Sequence, residues 1–400
     1  MSTPQTEDRS LLSLGMMAVM VAQFSSALAD NAVLIVAIAI LKARGAEQMV
    51  PLLQMAFVAP FIVLAPFAGE IADGFPKGRV MLAANLLKLA GALGMALGLN
   101  PLLAYGLIGV GATVYSPAKY GILSQMFGPA RLVRANGMLE GSTIVAILLG
   151  VLVGGWLADH SLALAFAGVI AAYVLAGAAN LLIPRLPAES PLASFRPSVL
   201  VRQFLAATRT LLANPDARFS ILATSMFWGS GTTLRLMLFA WVPVALAVQD
   251  NQTPANLMGV VSLGIVAGAV AAGLWISLAT VNRALIGGVL LGPTILALTQ
   301  VGSMGSAVLV MAGIGFFGGL FVVPLNALLQ ERGHQTVGAG KALAVQNFAE
   351  NSAMLLFVGA YSATTSAGVG VIQSIGGFGL ALFLVLSTLA SMRLWGRQFS

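Results

Sequence analysis

The chain has 400 residues, of which 58% are hydrophobic and 8% are charged, and its mean hydropathy is +0.95. A soluble protein of this length needs far more charge to cover its surface, so the composition excludes that class. The sequence has no cysteine, which excludes disulfides and thiolate metal sites. Its net charge of +7 does not indicate a nucleic-acid partner, because the basic residues lie between apolar stretches. The composition predicts an all-α integral membrane protein.

Apolar stretches of about 20 residues recur along the chain, and each can cross a hydrocarbon core of roughly 30 Å. The first ten residues, MSTPQTEDRS, lack the n-region and cleavage pattern of a signal peptide, so we expect the first span to stay. Twelve transmembrane helices fit the pattern. Their predicted limits are 13–41, 50–72, 80–98, 102–126, 135–157, 162–184, 219–247, 257–279, 284–302, 306–330, 341–365 and 371–392.

The distribution of basic residues predicts the orientation in the membrane. With the N-terminus inside, the cytoplasmic segments hold 15 Lys and Arg residues, whereas the external loops hold two, Lys42 and Arg44. Because basic residues are retained on the cytoplasmic side, both termini are expected in the cytoplasm.

The first span contains a carboxylate within the sequence SSALADNAVL, where Asp30 is followed by Asn31. An ionisable group inside a span costs at least a few kcal/mol, so it indicates function. Arg235, in GSGTTLRLMLFAW, lies near the middle of the seventh span at a matching depth. We therefore expect an Asp30–Arg235 pair or near-pair. A ligand that carries both a cation and an anion would replace this ion pair with two new contacts. Its ammonium would bind Asp30, and its phosphate or carboxylate would bind Arg235.

The loop after the second span, GEIADGFPKGR at 69–79, resembles the loop signature of the major facilitator superfamily. There Asp73 is expected to cap a neighbouring helix N-terminus and to meet Lys77 and Arg79, which would latch the cytoplasmic side. The sequence departs from the signature, since Gly74 replaces the usual basic residue. An ordinary positive-inside turn is the alternative.

Two lysines lie within predicted spans. Lys119, in YSPAKYGIL, follows the helix-breaking Pro117, and it either receives an anionic head group or extends its ammonium to the inner interface. Tyr115 precedes it as a candidate for the polar lining. Lys88, in NLLKLAG, is expected to extend to the interface or to form a structural pair, and a contact with the substrate is a further alternative.

One long connection, 185–218, divides the spans six and six, into 1–184 and 219–400. Its stretch SFRPSVLVRQFLAATRTLL has apolar residues at helical spacing with arginines between them. The pattern indicates an amphipathic helix on the inner leaflet or a solvated helix that links the two halves.

The two halves resemble each other in sequence. YSPAKYGILSQMFG and NGMLEGSTIVAILLG match VPLNALLQERG and QNFAENSAMLLFVG, with Pro117 aligned to Pro324 and Glu140 to Glu350 at offsets of 207 and 210. Two parallel six-helix pseudo-repeats are typical of the major facilitator fold. The two glutamates are expected to close an inner gate with basic side chains or only to neutralise helix dipoles. The candidate partners are Lys119, Arg134 and Lys341.

Three amides in the eleventh span, Gln346, Asn347 and Asn351, either line the polar path or form interhelical hydrogen bonds. No HExxH, GxSxG or Walker-type motif is present, so the chain is not expected to be an enzyme. Nothing indicates a channel filter. The sequence therefore predicts a secondary transporter of a zwitterion or anion. An ion-coupled exporter or importer of a small amphipathic or phosphorylated solute is the alternative.

Long stretches resemble the bacterial lysophospholipid transporters: QFSSALADNAVL, TVYSPAKYGIL, RANGMLEGSTIVAILLG, VVPLNALLQERG and VGAGKALAVQNFAENSAMLL. The resemblance implies a flippase of the major facilitator fold in the inner membrane of a Gram-negative bacterium, and we expect it to be a monomer without a cofactor. Its substrates would be lysophosphatidylethanolamine, lysophosphatidylglycerol and related monoacyl lipids, carried from the outer to the inner leaflet of the bilayer. An acyltransferase–acyl carrier protein synthetase would then restore the second chain in the cytoplasm.

Overall fold

The computed structural model describes residues 10–46, 49–191, 196–249 and 252–396. Arg9 and Arg397, two of the basic residues assigned to the cytoplasm, lie outside these ranges. Within them the chain forms α-helices and short 3₁₀ segments, and no strand. The helices are α1 Leu14–Ala43, α2 Val50–Val63, α3 Ala65–Gly74, α4 Lys77–Ala96, α5 Pro101–Met126, α6 Pro129–His160, α7 Leu162–Leu181, α8 Pro197–Ala213, α9 Pro215–Ala245, α10 Gln252–Trp275, α11 Ala284–Ala297, α12 Met304–Thr336, α13 Ala339–Ser366 and α14 Val371–Gly396, with 3₁₀ segments at Leu278–Arg283 and Leu298–Gln300.

Length and hydropathy qualify eight helical segments of the described chain as membrane spans, or nine if the bent pair α2–α3 is one span. The 64° bend of that pair falls just before Pro66, which cannot donate a backbone hydrogen bond. Helices α5, α9 and α13 have 26, 31 and 28 residues, which is long enough to cross a bilayer, although they are not among the segments that qualify by hydropathy. With these three, the described helices account for the twelve predicted crossings.

The helices divide into two compact units, and the first comprises Met1–Gly128, Ser142–Leu211 and Gln330–Phe348. Its apolar core includes Val33, Ile108 and Tyr173, from α1, α5 and α7. Helix α6 approaches α1 closely, because a Cβ at Gly154 would lie 2.7 Å from the Ala32 Cα. A small residue is therefore required at this crossing.

Helix α8, from the long connection, packs on unit 1. Its buried residues Leu200, Ala207 and Leu211 lie on one face, and Phe204 contacts Phe348 with ring centroids 5.8 Å apart. The exposed side carries Arg202 and Arg209. The amphipathic pattern thus forms a helix with a protein-facing side, while its role at the membrane surface stays a prediction.

Unit 2 comprises Pro129–Gly141, Leu212–Leu329 and Ala349–Ser400. Its helices α10 and α12 cross in close contact, where Gly264 and Gly268 meet Gly315 and Gly319. These paired glycines at four-residue spacing allow the two backbones to approach directly. The predicted sequence division into 1–184, 185–218 and 219–400 stays a prediction, because the two units are defined by packing and not by the repeat.

Candidate functional site

The intramembrane carboxylate of Asp30 is neutralised by Lys88. The Lys88 Nζ atom lies 2.7 Å from Asp30 Oδ2, and the Tyr173 hydroxyl donates to Asp30 Oδ1 at 2.7 Å. The Lys88 side chain is 2% exposed and that of Asp30 is 16% exposed. The pair is therefore buried on the lysine side and partly open on the carboxylate side.

Neighbouring polar groups complete the Asp30 cluster, which we define as Asp30, Lys88, Tyr173, Ser26 and Asn85. Lys88 Nζ also donates to Ser26 Oγ at 3.0 Å, and Ser26 donates to Asn85 Oδ1 at 2.7 Å. Ser26 and Asp30 lie one turn apart on α1, as do Asn85 and Lys88 on α4, so each pair shares a face of its helix. The cluster joins α1, α4 and α7 inside unit 1.

Two residues of α5 shape the position of Lys88. A Cβ at Gly111 would lie 2.7 Å from Lys88 Cγ, so only glycine leaves room for the lysine stem. The Lys88 ammonium also lies 4.7 Å from the centre of the Tyr115 ring, in cation–π contact. Tyr115 is buried beside this ammonium, and its predicted role in the polar lining stays a prediction.

The sequence interpretation gave Asp30 the wrong partner. It expected Arg235, but both Asp30 oxygens are occupied by Lys88 and Tyr173 of the same unit. Equivalent depth on repeat-related spans suggested the arginine, whereas the packing of α1 against α4 and α7 determines the contact. Of the predicted alternatives for Lys88, the structure shows the buried pair and not the extension to the interface, while a substrate contact stays a prediction.

Asn31 stands beside Asp30 and is half-buried. Its side-chain amide donates to the Ala27 carbonyl at 2.8 Å, one turn earlier in α1. Its predicted role in head-group binding stays a prediction.

Arg235 lies in the middle of α9 and is exposed. Within the described part of unit 2, its guanidinium makes no ion pair or hydrogen bond. An arginine at membrane depth is costly unless it meets water or an anion. Its exposure therefore favours an anion-binding role.

Lys119 is buried in α5, with its ammonium 4.5 Å from the centre of the Tyr120 ring. Burial excludes the extended conformation that was the alternative to a head-group contact. The predicted role of Lys119 and Arg235 in anion recognition stays a prediction.

A second cluster surrounds Asp73 at the end of α3, and we define the Asp73 cluster as Asp73, Lys77, Glu189, His334 and the N-terminus of α13. The Asp73 carboxylate accepts the backbone N–H groups of Gly340 and Lys341, each at 2.8 Å. Lys77 Nζ lies 2.5 Å from Asp73 Oδ1 and 3.0 Å from Glu189 Oε2. The carboxylate thus caps α13 with the geometry that the loop signature predicts.

Glu189 links this cluster to the end of α12. Its Oε1 atom accepts the Ala339 N–H at 3.1 Å and lies 2.6 Å from His334 Nδ1. Burial by itself raises the pKa of the Glu189 carboxyl, but the hydrogen bond with His334 and the charge of Lys77 outweigh it and hold the pKa at about 2. Glu189 is therefore ionised at neutral pH. Sequence reasoning missed it, because an acid in a connection rich in basic residues is typical of a solvated loop.

Two basic residues near this cluster, Arg79 and Lys341, do not make the ion pairs that the sequence predicts. Arg79 is exposed and makes no contact with the Asp73 cluster. Lys341 pairs with Glu70 at 3.1 Å, so its carboxylate partner is neither Glu140 nor Glu350. One helical turn separates Asp73 from Glu70 on α3, which places both acids against the start of α13.

Comparison with known proteins identifies the family. The model of the Major Facilitator Superfamily matches residues 19–358. The chain belongs to this superfamily. It is 52% identical over 373 residues to the lysophospholipid transporter LplT of Yersinia pestis (strain Pestoides F), a match that covers 93% of this chain and 92% of that protein. The resemblance stated from the sequence is thereby confirmed.

Solved structures show the same fold. The human organic anion transporter MFSD10 (TETRAN) superposes on this chain with a TM-score of 0.75 at 14% identity. The superposition covers 97% of this chain and 100% of the MFSD10 chain. A bacterial homologue of the iron transporter ferroportin, in an outward-facing state, has a TM-score of 0.73 at 17% identity. The superposition covers 96% of this chain and 99% of the homologue. At such identities the likeness concerns the fold alone, and it confirms the predicted major facilitator architecture.

The two glutamates that the sequence repeat aligns, Glu140 and Glu350, lie at matching positions along their helices. Glu140 lies eleven residues after the start of α6, and Glu350 lies eleven residues after the start of α13. That is about three turns, whereas the dipole effect fades within the first turn. Simple dipole neutralisation therefore does not explain them. In unit 2, Asn326 donates to Glu140 Oε1 at 3.3 Å.

The three amides of α13 differ in their surroundings. Asn347 donates to Ser116 Oγ at 3.1 Å, an interhelical hydrogen bond inside unit 1. Gln346 is buried, whereas Asn351 is half-buried. The interhelical alternative thus accounts for Asn347, and a lining role for Gln346 and Asn351 stays a prediction.

Proposed function

We propose that the chain is a lysophospholipid flippase that carries lysophosphatidylethanolamine, lysophosphatidylglycerol and related monoacyl lipids from the outer to the inner leaflet by alternating access. The observation that carries this proposal is the 52% identity, over 93% of the chain, with a protein named lysophospholipid transporter. Charged residues at membrane depth support it, because a lipid head group needs a polar path while its tail stays in an apolar medium.

The Asp30 cluster is proposed to bind the ammonium of the ethanolamine head group. The incoming ammonium takes the place of Lys88 on the partly open carboxylate, with Asn31 beside it. Lys88 Nζ, released from its 2.7 Å contact, then meets the phosphate. This exchange leaves no buried charge without a partner, which would be strongly unfavourable.

Arg235 and Lys119 are proposed as further phosphate contacts along the path. A guanidinium binds two phosphate oxygens with its planar fork, and an exposed arginine is available for that contact. Lys119 provides a second positive charge on α5.

The Asp73 cluster is proposed as a cytoplasmic latch, with Glu140 and Glu350 as gating residues. Asp73 holds the N-terminus of α13 by two backbone hydrogen bonds, so opening requires both to break. Arg79, exposed near the start of α4, is then available for the open state. Backbone caps of this kind are strong enough to hold a closed state and weak enough to release it.

We further propose that the protein is a monomer in the bacterial inner membrane, with both termini in the cytoplasm. Its product is a monoacyl lipid in the inner leaflet. The family resemblance implies a partner enzyme, an acyltransferase–acyl carrier protein synthetase, which restores the second acyl chain.

Reconstitution tests the function. The purified protein is placed in vesicles, labelled lysophosphatidylethanolamine is supplied from outside, and its inward movement is measured for the wild type, Asp30→Asn and Arg235→Gln at equal folded amounts. We expect rapid flipping by the wild type and strong losses in both variants. Asp159→Asn, at the exposed end of α6, is the matched control and should flip normally. A wild type that moves no lysolipid would contradict the proposal.

A further inference from the structure

Unit 2 contains a cavity of about 610 Å³ between α9, α13 and α14. Its walls include Met237 of α9, Phe357 of α13, and Phe378, Leu382 and Val385 of α14. Ligand pockets in proteins range over roughly 300–1,000 Å³, so the cavity is large enough for a substantial apolar group. None of the described residues that line it carries a charge.

The cavity has a polar end and an apolar end. Thr364, Gln373 and Ser374 line it where α13 ends and α14 begins. The other walls are apolar apart from Tyr361 of α13 and Thr233 of α9, whose hydroxyl donates to the Gly229 carbonyl of its own helix. Along α14 the lining runs from Gln373 to Val385, a separation of twelve residues or about 18 Å of helix. One leaflet of a bilayer is roughly 15 Å thick in its hydrocarbon part, half of the full core. The cavity therefore extends about as deep as one leaflet.

Ser374 points to a ligand at the polar end. It is 8% exposed, and its hydroxyl has no hydrogen-bond partner among the described residues. Buried hydroxyls are normally paired, because an unpaired one loses its hydrogen bonds to water without replacement. An ester carbonyl or a glycerol hydroxyl placed at the mouth of the cavity would supply the missing partner.

We propose that this cavity is the acyl-chain site of the transporter, where a lysolipid inserts its single chain while its phosphate stays outside at the interface; this rests on the proposed function. An uncharged interior excludes the phosphate itself and favours the tail. The polar end accepts the ester and glycerol groups at Ser374. The volume and depth accommodate one chain, which selects monoacyl over diacyl lipids.

Photo-crosslinking on the wild-type protein tests the site directly. The probe is a lysophosphatidylethanolamine with a photoreactive diazirine at the end of its chain, and the comparison probe is a diacyl phosphatidylethanolamine with the same group. We expect the lysolipid to label the deep walls around Leu382, and the diacyl lipid to label the outward residues Leu380 and Leu384, which are 49% and 55% exposed. If both probes label the cavity wall around Leu382 and the outward residues Leu380 and Leu384 equally, the proposal is overturned.

A filling variant tests the same site by binding. Ala381 lines the cavity, so Ala381→Trp should weaken binding of a palmitoyl lysolipid by about tenfold, as expected if about two methylene groups are excluded. A decanoyl lysolipid should bind the variant as well as it binds the wild type. Leu384→Trp, on the outward face, is the matched control.

The two proposals fail in different ways. A wild type that flips lysolipid, together with an Ala381→Trp variant of unchanged chain-length preference, overturns only the acyl-chain site. A wild type that neither binds nor flips any lysolipid overturns the proposed function. If the tryptophan variant does not fold, the labelling pattern of the wild type decides.

Discussion

Lys88 and Asp30 form a buried ion pair at 2.7 Å, between α4 and α1. Such a pair adds little net stability, because desolvation of both charges offsets most of their attraction. Its position beside half-buried Asn31 and its partly open carboxylate instead favour an exchangeable contact. The pair is the part of the molecule on which head-group recognition is proposed to depend.

Removal of Lys88 alone should destabilise the protein. Lys88→Met leaves the Asp30 carboxylate without its cation, and we expect a loss of about 3–5 kcal/mol in the free energy of unfolding, measured by denaturant titration in detergent. The double variant Lys88→Met with Asp30→Asn should recover much of that loss, since no charge is left unpaired. Lys42→Met, at an exposed position, should have little effect. Equal losses in the single and double variants would contradict this account.

The latch can be tested with a single cysteine, because the chain has none of its own. Leu343→Cys places a thiol at a buried position of α13, near the contacts of Asp73. Adding Asp73→Asn removes the negative charge that holds the α13 N-terminus, so labelling by a maleimide should accelerate about tenfold or more, as loss of a charge-assisted hydrogen bond implies. Asp159→Asn should leave the rate unchanged, and an equally slow rate in Asp73→Asn would contradict the latch.

A methyl group at Gly340 should have the same effect without changing any charge. A Cβ there would lie 2.5 Å from Asp73 Oδ1, so Gly340→Ala must displace the carboxylate. Faster thiol labelling and lower thermal stability are the expected results. Gly359→Ala, in the same helix with open space around it, is the control and should be neutral or slightly stabilising. Wild-type behaviour of Gly340→Ala would show that the contact does not hold the helix.

Much of the fold follows from the sequence, because the bilayer requires helices of a set length. The predicted tenth span, 306–330, lies inside α12, which continues to Thr336. The difference arises because a helix extends beyond the hydrocarbon core, where hydropathy no longer marks it. The first span shows the same extension, since α1 runs to Ala43.

The sites were only partly predictable. Desolvation cost singled out Asp30 and the loop signature singled out Asp73, since both arguments depend on local sequence. The partner of Asp30 depends instead on which helices pack together, and that information is absent from hydropathy and repeat spacing. Glu189 was missed for the same reason, because its burial arises from α12 and α13, far along the chain.

The depressed pKa of Glu189 predicts how stability depends on pH. Its folded-state pKa of about 2 lies below the ordinary value of 4.5, so the unfolded state binds more protons between these values. The contribution of Glu189 is therefore complete above about pH 4.5 and is lost as the pH falls toward 2. The difference in thermal midpoint between the wild type and Glu189→Gln should shrink over that range. A difference that stays constant from pH 6 to the lowest accessible pH would contradict the assignment.

The most direct measurement compares two head groups in one flipping assay, with Asp30→Ala beside the wild type. The ethanolamine lysolipid carries an ammonium that Asp30 can bind, whereas the glycerol lysolipid does not. The account predicts that the wild type flips both and that Asp30→Ala reduces ethanolamine lysolipid flipping much more than glycerol lysolipid flipping. Equal losses for the two lipids would contradict head-group recognition by Asp30 and would assign it to gating or ion coupling.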